Sequence, residues 1–243
     1  MWHGIQIELR FTYTVTSGDF IMPDINKILK QMRESGKIMD HKGKGSAGEK
    51  AVLEIAHEFL RSTGGIMYLS YKYPYQSDRS GACYLGNIKY ENGQFVDYSS
   101  TSYNDEIDVL LITPYRIYPI EVKSYHAKIE LYDFWMKKNK EEVDKSTIVQ
   151  TEKHARHFYH FLNPFIPNGN PDYIIPIACF VDRCEISDNR STLQQEYVKV
   201  SILNTLMQTL IKTHTPLDHC LDIQAIYDYM DKKKVSFERR FKV

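Results

Sequence analysis

Long hydrophobic runs are missing from this chain. No uncharged apolar stretch approaches the ~20 residues needed to cross a bilayer, so no membrane span is expected. Net charge is missing too: 31 Lys plus Arg stand against 31 Asp plus Glu. The whole-chain balance therefore makes no case for a polyanionic partner, although a local basic patch escapes such a count. Cysteine is scarce. Cys83, Cys179, Cys184 and Cys220 are scattered, with no C-x-x-C, which predicts reduced, mostly packed thiols in a cytoplasmic protein. The opening residues MWHGIQIELRF have neither a basic start nor a long apolar run, so no cleaved signal is expected. Internal repeats and low-complexity tracts are absent as well. What is plentiful is tyrosine, 18 residues in 243, many of them between Tyr68 and Tyr103. The length fits one large domain, or one domain with additions.

Along the chain, IQIELRFTYTV alternates strictly, with Ile5, Ile7, Leu9, Phe11, Tyr13 and Val15 on one face, and predicts a half-buried strand. PDINKILKQMRESG predicts a helix from Pro23 and Asp24 to Gly36. HKGKGSAG predicts a flexible, basic linker. A helix is expected from Ser46, with Val52, Ile55, Ala56 and Phe59 at helical spacing and Gly64-Gly65 as its stop. IMYLSYKYPY predicts a strand. The Tyr- and Gly-rich segment from about 76 to 104 predicts an insertion carrying a small hairpin, NIKY and QFVDY, around Glu91-Asn92-Gly93. Further on come a short strand or turn in HAKIELYDFWM, a charged loop in KKNKEEVDKS, and a helix in STIVQTEKHARHFYHFL capped by Ser146 or Thr147. YIIPIACFV predicts a buried strand, VKVSILNTLMQTLIKTH a strand leading into a helix, and LDIQAIYDYMDKKK a last amphipathic helix. This order predicts an α/β fold with a mixed sheet and helices on both faces.

The stretch EIDVLLITPYRIYPIEVKSY carries the chemistry. VLLI and IYPIEV are rich in β formers, and Pro114 suits the second position of a turn between them. A hairpin centred between Pro114 and Tyr115 sets Asp108 opposite Glu121, with Cβ atoms about 5 Å apart. Lys123, two residues on, shares the face of Glu121. Facing carboxylates repel, and each disfavours the other's charge. A divalent cation removes that conflict, and Mg²⁺ is often held by only one or two carboxylates. Pro119 threatens the register, because a bulge there shifts every pair beyond it.

An aspartate strand followed by E-x-K on a hairpin, preceded by a helix bearing an acid, resembles the PD-(D/E)XK nuclease superfamily. The chain resembles more closely the nuclease-related domain, NERD. The matching pieces run in order: GSAGEKAV with Gly48-Glu49, EIDVLLITPYRIYPIEVKSY, Trp135, STIVQTEKHARHFYHFL with Gln150, and IIPIACFV, covering roughly residues 45 to 210. Departures are Ser146-Thr147 in place of the family's Asn-Pro, and the length of the insertion. The resemblance implies a restriction-endonuclease-like core over residues 41–243, with residues 1–40 as a strand-helix extension. It implies metal-dependent hydrolysis of phosphodiester bonds in nucleic acid, DNA in the first instance, with Mg²⁺ or Mn²⁺ as cofactor. Asp108 and Glu121 then hold the metal with Glu49 in support, Lys123 positions the attacking water or offsets charge, and Gln150 orients the site. The alternative is a catalytically inactive NERD module that binds nucleic acid or a protein partner.

Weaker candidates surround this set. Lys42 and Lys44 precede the Glu49 helix and suit phosphate contacts, although a solvated linker is the commoner explanation of such residues. His154, His157 and His160 drift around one helix and do not suit a single shared metal. Among them His154 lies one turn from Gln150 and is the candidate near substrate. The insertion's tyrosines suit base stacking, but core packing is the commoner use of tyrosine. Arg239, Arg240 and Lys242 are expected as a solvated basic tail. The alternating N-terminal strand suits an edge or a homodimer contact.

Overall fold

The computed structural model describes residues 44–75, 88–91, 94–97, 103–143, 146–181, 184–233 and 239–242. The expected N-terminal strand and helix, Lys42, and most of the Tyr-rich insertion lie outside them.

Helix α1 (Lys44–Thr63) leads into β1 (Ile66–Tyr75). A separate small hairpin, β2 (Ile88–Glu91) and β3 (Gln94–Asp97), matches the expected pair of runs around Asn92-Gly93. Then come β4 (Tyr103–Ile112), β5 (Ile117–Lys123), β6 (Lys128–Leu131), β7 (Met136–Lys138) and β8 (Glu141–Val143). Helix α2 (Thr147–Leu162), three short 3₁₀ turns, β9 (Ile177–Phe180), β10 (Glu185–Asp188), α3 (Thr192–Tyr197), β11 (Lys199–Ile202), α4 (Leu206–Thr213), α5 (Ile223–Lys233) and β12 (Arg239–Lys242) complete the order.

The main sheet has the order β11-β9-β5-β4-β1-β12. Its β5, β9 and β11 run parallel and the rest antiparallel, so it is mixed, as expected. Amphipathic helices cover both faces, because each buries one apolar stripe against the sheet. On one face, Val52, Ile55 and Phe59 of α1 and Leu206 and Leu210 of α4 pack on Met67, Leu69, Val109, Leu111 and Ile120. On the other, Ala155, Phe158 and Leu162 of α2 and Ile226 and Met230 of α5 pack on Tyr68, Tyr71, Tyr73, Leu110 and Ile112. A smaller sheet, β10-β6-β7-β8, seals a third cluster around Ile129, Met136, Ile148 and Phe180.

Four expectations change. The run KKNKEEVDKS is not a loop throughout. It contributes to the β7–β8 hairpin, pairing Lys137 with Glu142 and Lys138 with Glu141, and Asn139 and Lys140 take positive φ of 52° and 74° at the turn. Opposite charges directly across the ladder stabilise a pairing that the bare charge count reads as solvated. The basic tail is β12, which pairs antiparallel along β1 from Ile66 to Leu69. Helix α1 starts at Lys44 and takes in part of the expected linker. Ser146 is the N-cap residue of α2, but its side chain makes no capping bond. The Thr147 N–H instead faces the Met136 sulfur at 3.4 Å.

The β4–β5 turn is held tightly. The Thr113 N–H donates to the Arg116 carbonyl at 2.8 Å, and the Arg116 N–H donates to Thr113 Oγ1 at 2.9 Å. Arg116 Nη2 donates to Thr215 Oγ1 at 2.6 Å and its Nε to the Thr213 carbonyl at 3.3 Å. His214 Nε2 stands 3.1 Å from Thr113 Oγ1, and burial, aided by Arg116, pushes its pKa down to about 4. This packed cluster, a neutral His214 beside the Arg116 guanidinium, fixes the hairpin register from its closed end.

Candidate active site

The ladder pairs Ile112 with Ile117, Leu111 with Tyr118, Leu110 with Pro119 and Val109 with Ile120. This is the register set by a turn centred between Pro114 and Tyr115. Pro119 does not bulge it, for a geometrical reason. Counting alternately from the hydrogen-bonded Thr113–Arg116 pair, Leu110–Pro119 falls at a non-hydrogen-bonded position, where the proline's missing N–H points away from β4. The loss falls on the β9 side. There the Ile117–Ile174 bridge and the ladder beginning at Ile120–Ile177 keep one offset, interrupted where Pro119 and Pro176 lie.

Beyond Ile120 the two strands part. Continued alternation would have the Val122 N–H donate to the Ile107 carbonyl. It donates to Asp108 Oδ2 at 2.8 Å instead. The side chain of Asp108 thus takes the place of a backbone acceptor at the point where the ladder opens. Strand β1 breaks its own alternation at the same level. Ser70 adopts a positive φ of 49°. Before it, Met67 and Leu69 face α1; after it, Tyr71 and Tyr73 face α2, together with Ile107. Ile107 thereby comes to line the recess that holds Glu121, Thr151 and His154.

Glu121 is almost fully buried, its side chain 3% exposed, and it lies between Lys123 and His154. Lys123 Nζ donates to its Oε1 at 2.5 Å. His154 Nδ1 lies 3.2 Å from its Oε2, but out of line for a hydrogen bond. Burial pushes the Glu121 carboxyl up, and His154 and Lys123 more than offset this, holding it below its usual range. Lys123 resists the desolvation of its own site through Glu121 and Asp108, and its pKa rises. Asp108 carries the conflict: burial first, then the Glu121 charge, push its carboxyl up to about 6, against the opposing Val122 N–H.

The other expected residues lie on the two helices that pack against β5. Gln150 is half-buried on α2, one turn before His154. Glu49 is half-buried near the start of α1. Its neighbour Gly48 sits so close to β9 that a Cβ would stand 2.5 Å from Val181 Cγ2. The side chain of Lys44 is outside the described set. His157 is buried and His160 exposed, as their drift around the helix implies. Among the described residues, no three His, Cys, Asp or Glu side chains converge as a ready-made metal group. A groove of about 230 Å³ beside Arg156, Tyr159, His160 and Tyr197 is lined by no carboxylate.

One supporting residue carries no sequence signal. Tyr73 donates its OH to the His154 carbonyl at 3.2 Å, tying β1 to the site-facing turn of α2. In KYPY nothing separates this tyrosine from its neighbours.

The family model for the nuclease-related domain matches residues 44–181, more than half of the chain. The chain belongs to this family. No curated protein and no solved structure matches it. The NERD match runs from α1 through β9, and so spans every strand and helix that bears a candidate residue. Beyond it, β11 and β12 extend the same NERD sheet at opposite edges. Among the described residues, no helix is long and apolar enough to cross a membrane.

The donor set fits a divalent cation. Two carboxylates lie at an opening in the sheet, close enough that the charge of Glu121 opposes that of Asp108. Oxygen donors of this kind suit Mg²⁺ or Mn²⁺.

Proposed function

We propose that this NERD domain hydrolyses phosphodiester bonds of nucleic acid, DNA in the first instance, with Mg²⁺ or Mn²⁺ held by Asp108 and Glu121. The observation that carries the reading is the close approach of these two acids just past the end of the β4–β5 ladder, where the Glu121 charge opposes that of Asp108 and the Lys123 ammonium bonds Glu121. A structural hairpin gains nothing from burying like charges face to face. A bound cation would supply Lewis-acid polarisation of the phosphoryl oxygen and a more acidic water.

The chain's own groups have distinct tasks. Asp108, anchored through Oδ2 by the Val122 N–H, keeps Oδ1 for the cation. Glu121 is held in its charged form by the Lys123 ammonium and the adjoining His154 ring. Lys123 offsets negative charge as the phosphoryl group expands, and its ammonium can orient water. Glu49 on α1 and Gln150 on α2 serve as supporting groups, and Lys42 and Lys44, just before and at the start of α1, serve as phosphate contacts.

The second reading, a non-catalytic NERD module that binds nucleic acid or a protein, draws on the lack of three converged ligand side chains among the described residues. One experiment separates the two. Wild type, Asp108→Asn and Lys123→Ala are assayed for cleavage and for binding on DNA and RNA oligonucleotides with Mg²⁺ or Mn²⁺. Hydrolysis predicts that each variant loses about 10²-fold or more in rate with its binding largely kept. Equal cleavage by all three sinks it, and binding without cleavage by wild type supports the inactive module.

A further inference from the structure

The atom least explained by the site so far is His154 Nδ1. It is buried and stands 3.2 Å from Glu121 Oε2, yet it lies outside hydrogen-bonding alignment with it. Its ring is 14% exposed. Its backbone is fixed by the Tyr73 hydroxyl. Packing holds an imidazole nitrogen and a carboxylate oxygen side by side without a well-formed bond between them. Two donors on one six-coordinate ion, each at about 2.1 Å, stand about 3 Å apart. The Nδ1–Oε2 separation is that of neighbouring ligands.

We propose that His154 is a ligand of the cation at this site, through Nδ1, and that its nitrogen sets a preference for Mn²⁺ over Mg²⁺. Mg²⁺ takes hard oxygen donors, whereas imidazole suits Mn²⁺ and the later first-row ions progressively better. Glu121 and His154 form the part of the set already at ligand spacing. Asp108 is turned toward the Val122 N–H and closes on the ion from across the strand opening, which accounts for the absence of a converged trio among the described residues. Lys123 occupies the other oxygen of Glu121, so the ion is confined to the Oε2 side. Helical spacing singles out His154, one turn from Gln150, but says nothing of which strand side chain it meets.

The inference rests on the cation site proposed above, and its test needs no hydrolysis. The full chain is titrated with Mn²⁺ and with Mg²⁺ by calorimetry, and the Mn²⁺ complex is read by pulsed electron paramagnetic resonance for ¹⁴N coupling. The variants are His154→Asn, which offers oxygen in place of nitrogen, and His154→Phe, which offers nothing. Wild type is expected to bind Mn²⁺ about tenfold or more tighter than Mg²⁺, with nitrogen coupling. Both variants lose that coupling, and Mn²⁺ weakens by about 10- to 100-fold while Mg²⁺ changes much less. If a variant fails to fold, the wild-type nitrogen signal decides alone.

An absent nitrogen coupling in wild type overturns the proposal. So does an unchanged Mn²⁺/Mg²⁺ preference in folded variants, or no Mn²⁺ binding even with a non-hydrolysable phosphorothioate oligonucleotide present. Nitrogen-coupled Mn²⁺ in a protein that cleaves nothing keeps the ligand and removes the hydrolysis reading. Cleavage without nitrogen coupling does the reverse.

Discussion

At the scale of single residues, Asp108 is held in a state that costs stability. Its carboxyl is raised from 3.8 to about 6, so between those values the native state binds more protons than the unfolded chain. Stability from this group is therefore fully present below about pH 4 and is lost as pH rises through about 6. Asp108→Asn keeps an oxygen for the Val122 N–H and drops the charge. It should be more stable than wild type at pH 7.5 by on the order of 2 kcal/mol, with the gap closing toward pH 4. Urea unfolding of both proteins across this range measures it, and a gap that stays constant or widens toward acid contradicts it. The proposed hydrolysis would fall by about 10²-fold or more with the same substitution, the usual stability cost of a functional group. The hairpin register as far as Val109–Ile120 was legible from turn chemistry and counting alone, but the expected Asp108–Glu121 pair lies just past the end of that ladder. The anchoring of Asp108 on a backbone N–H was not legible, because it depends on where the ladder ends.

At the scale of elements, the spacing between α1 and the sheet is set by one absent side chain. A Cβ on Gly48 would meet Val181 Cγ2 at 2.5 Å and Val122 Cγ1 at 3.7 Å. Alanine gains roughly 1 kcal/mol of helix propensity over glycine, but the clash falls on a branched methyl with little freedom to move. Gly48→Ala is expected to destabilise by about 1–3 kcal/mol. Val181→Ala in the same chain should restore much of the loss, a coupling of about 1 kcal/mol or more in a double-mutant cycle. Simple additivity in thermal melts would remove this account. In the sequence, G-x-x-G-E was a weak signal because spacing says nothing of what the glycine touches. The β7–β8 hairpin was missed for a related reason: a charged run reads as solvent-facing until its partner strand is known. The elements with strong apolar periodicity, α2, α4, α5 and β9, were legible because burial writes directly into the pattern.

At the scale of the whole molecule, the sheet is closed at one edge by the C-terminal strand. Residues 239–242 pair with Ile66 to Leu69 of β1. Removing residues 234–243 would expose that edge, cost at least about 1 kcal/mol in lost ladder bonds, and favour chain association. Light scattering and thermal melts of the truncated protein check this, and unchanged mass and midpoint argue that the strand contributes nothing. The mixed sheet with helices on both faces followed from the order of elements. The edge role of β12 did not, since RRFK carries no apolar alternation and its place depends on a partner some 170 residues away. One detail of the opened ladder reaches beyond stability and catalysis. The Val122 amide reports on a side-chain carboxylate in a sheet where its neighbours report on carbonyls. Its proton resonance is therefore a built-in gauge of Asp108, moving when that carboxylate gains a proton, takes an ion or lets go, while the adjacent strand amides stay still.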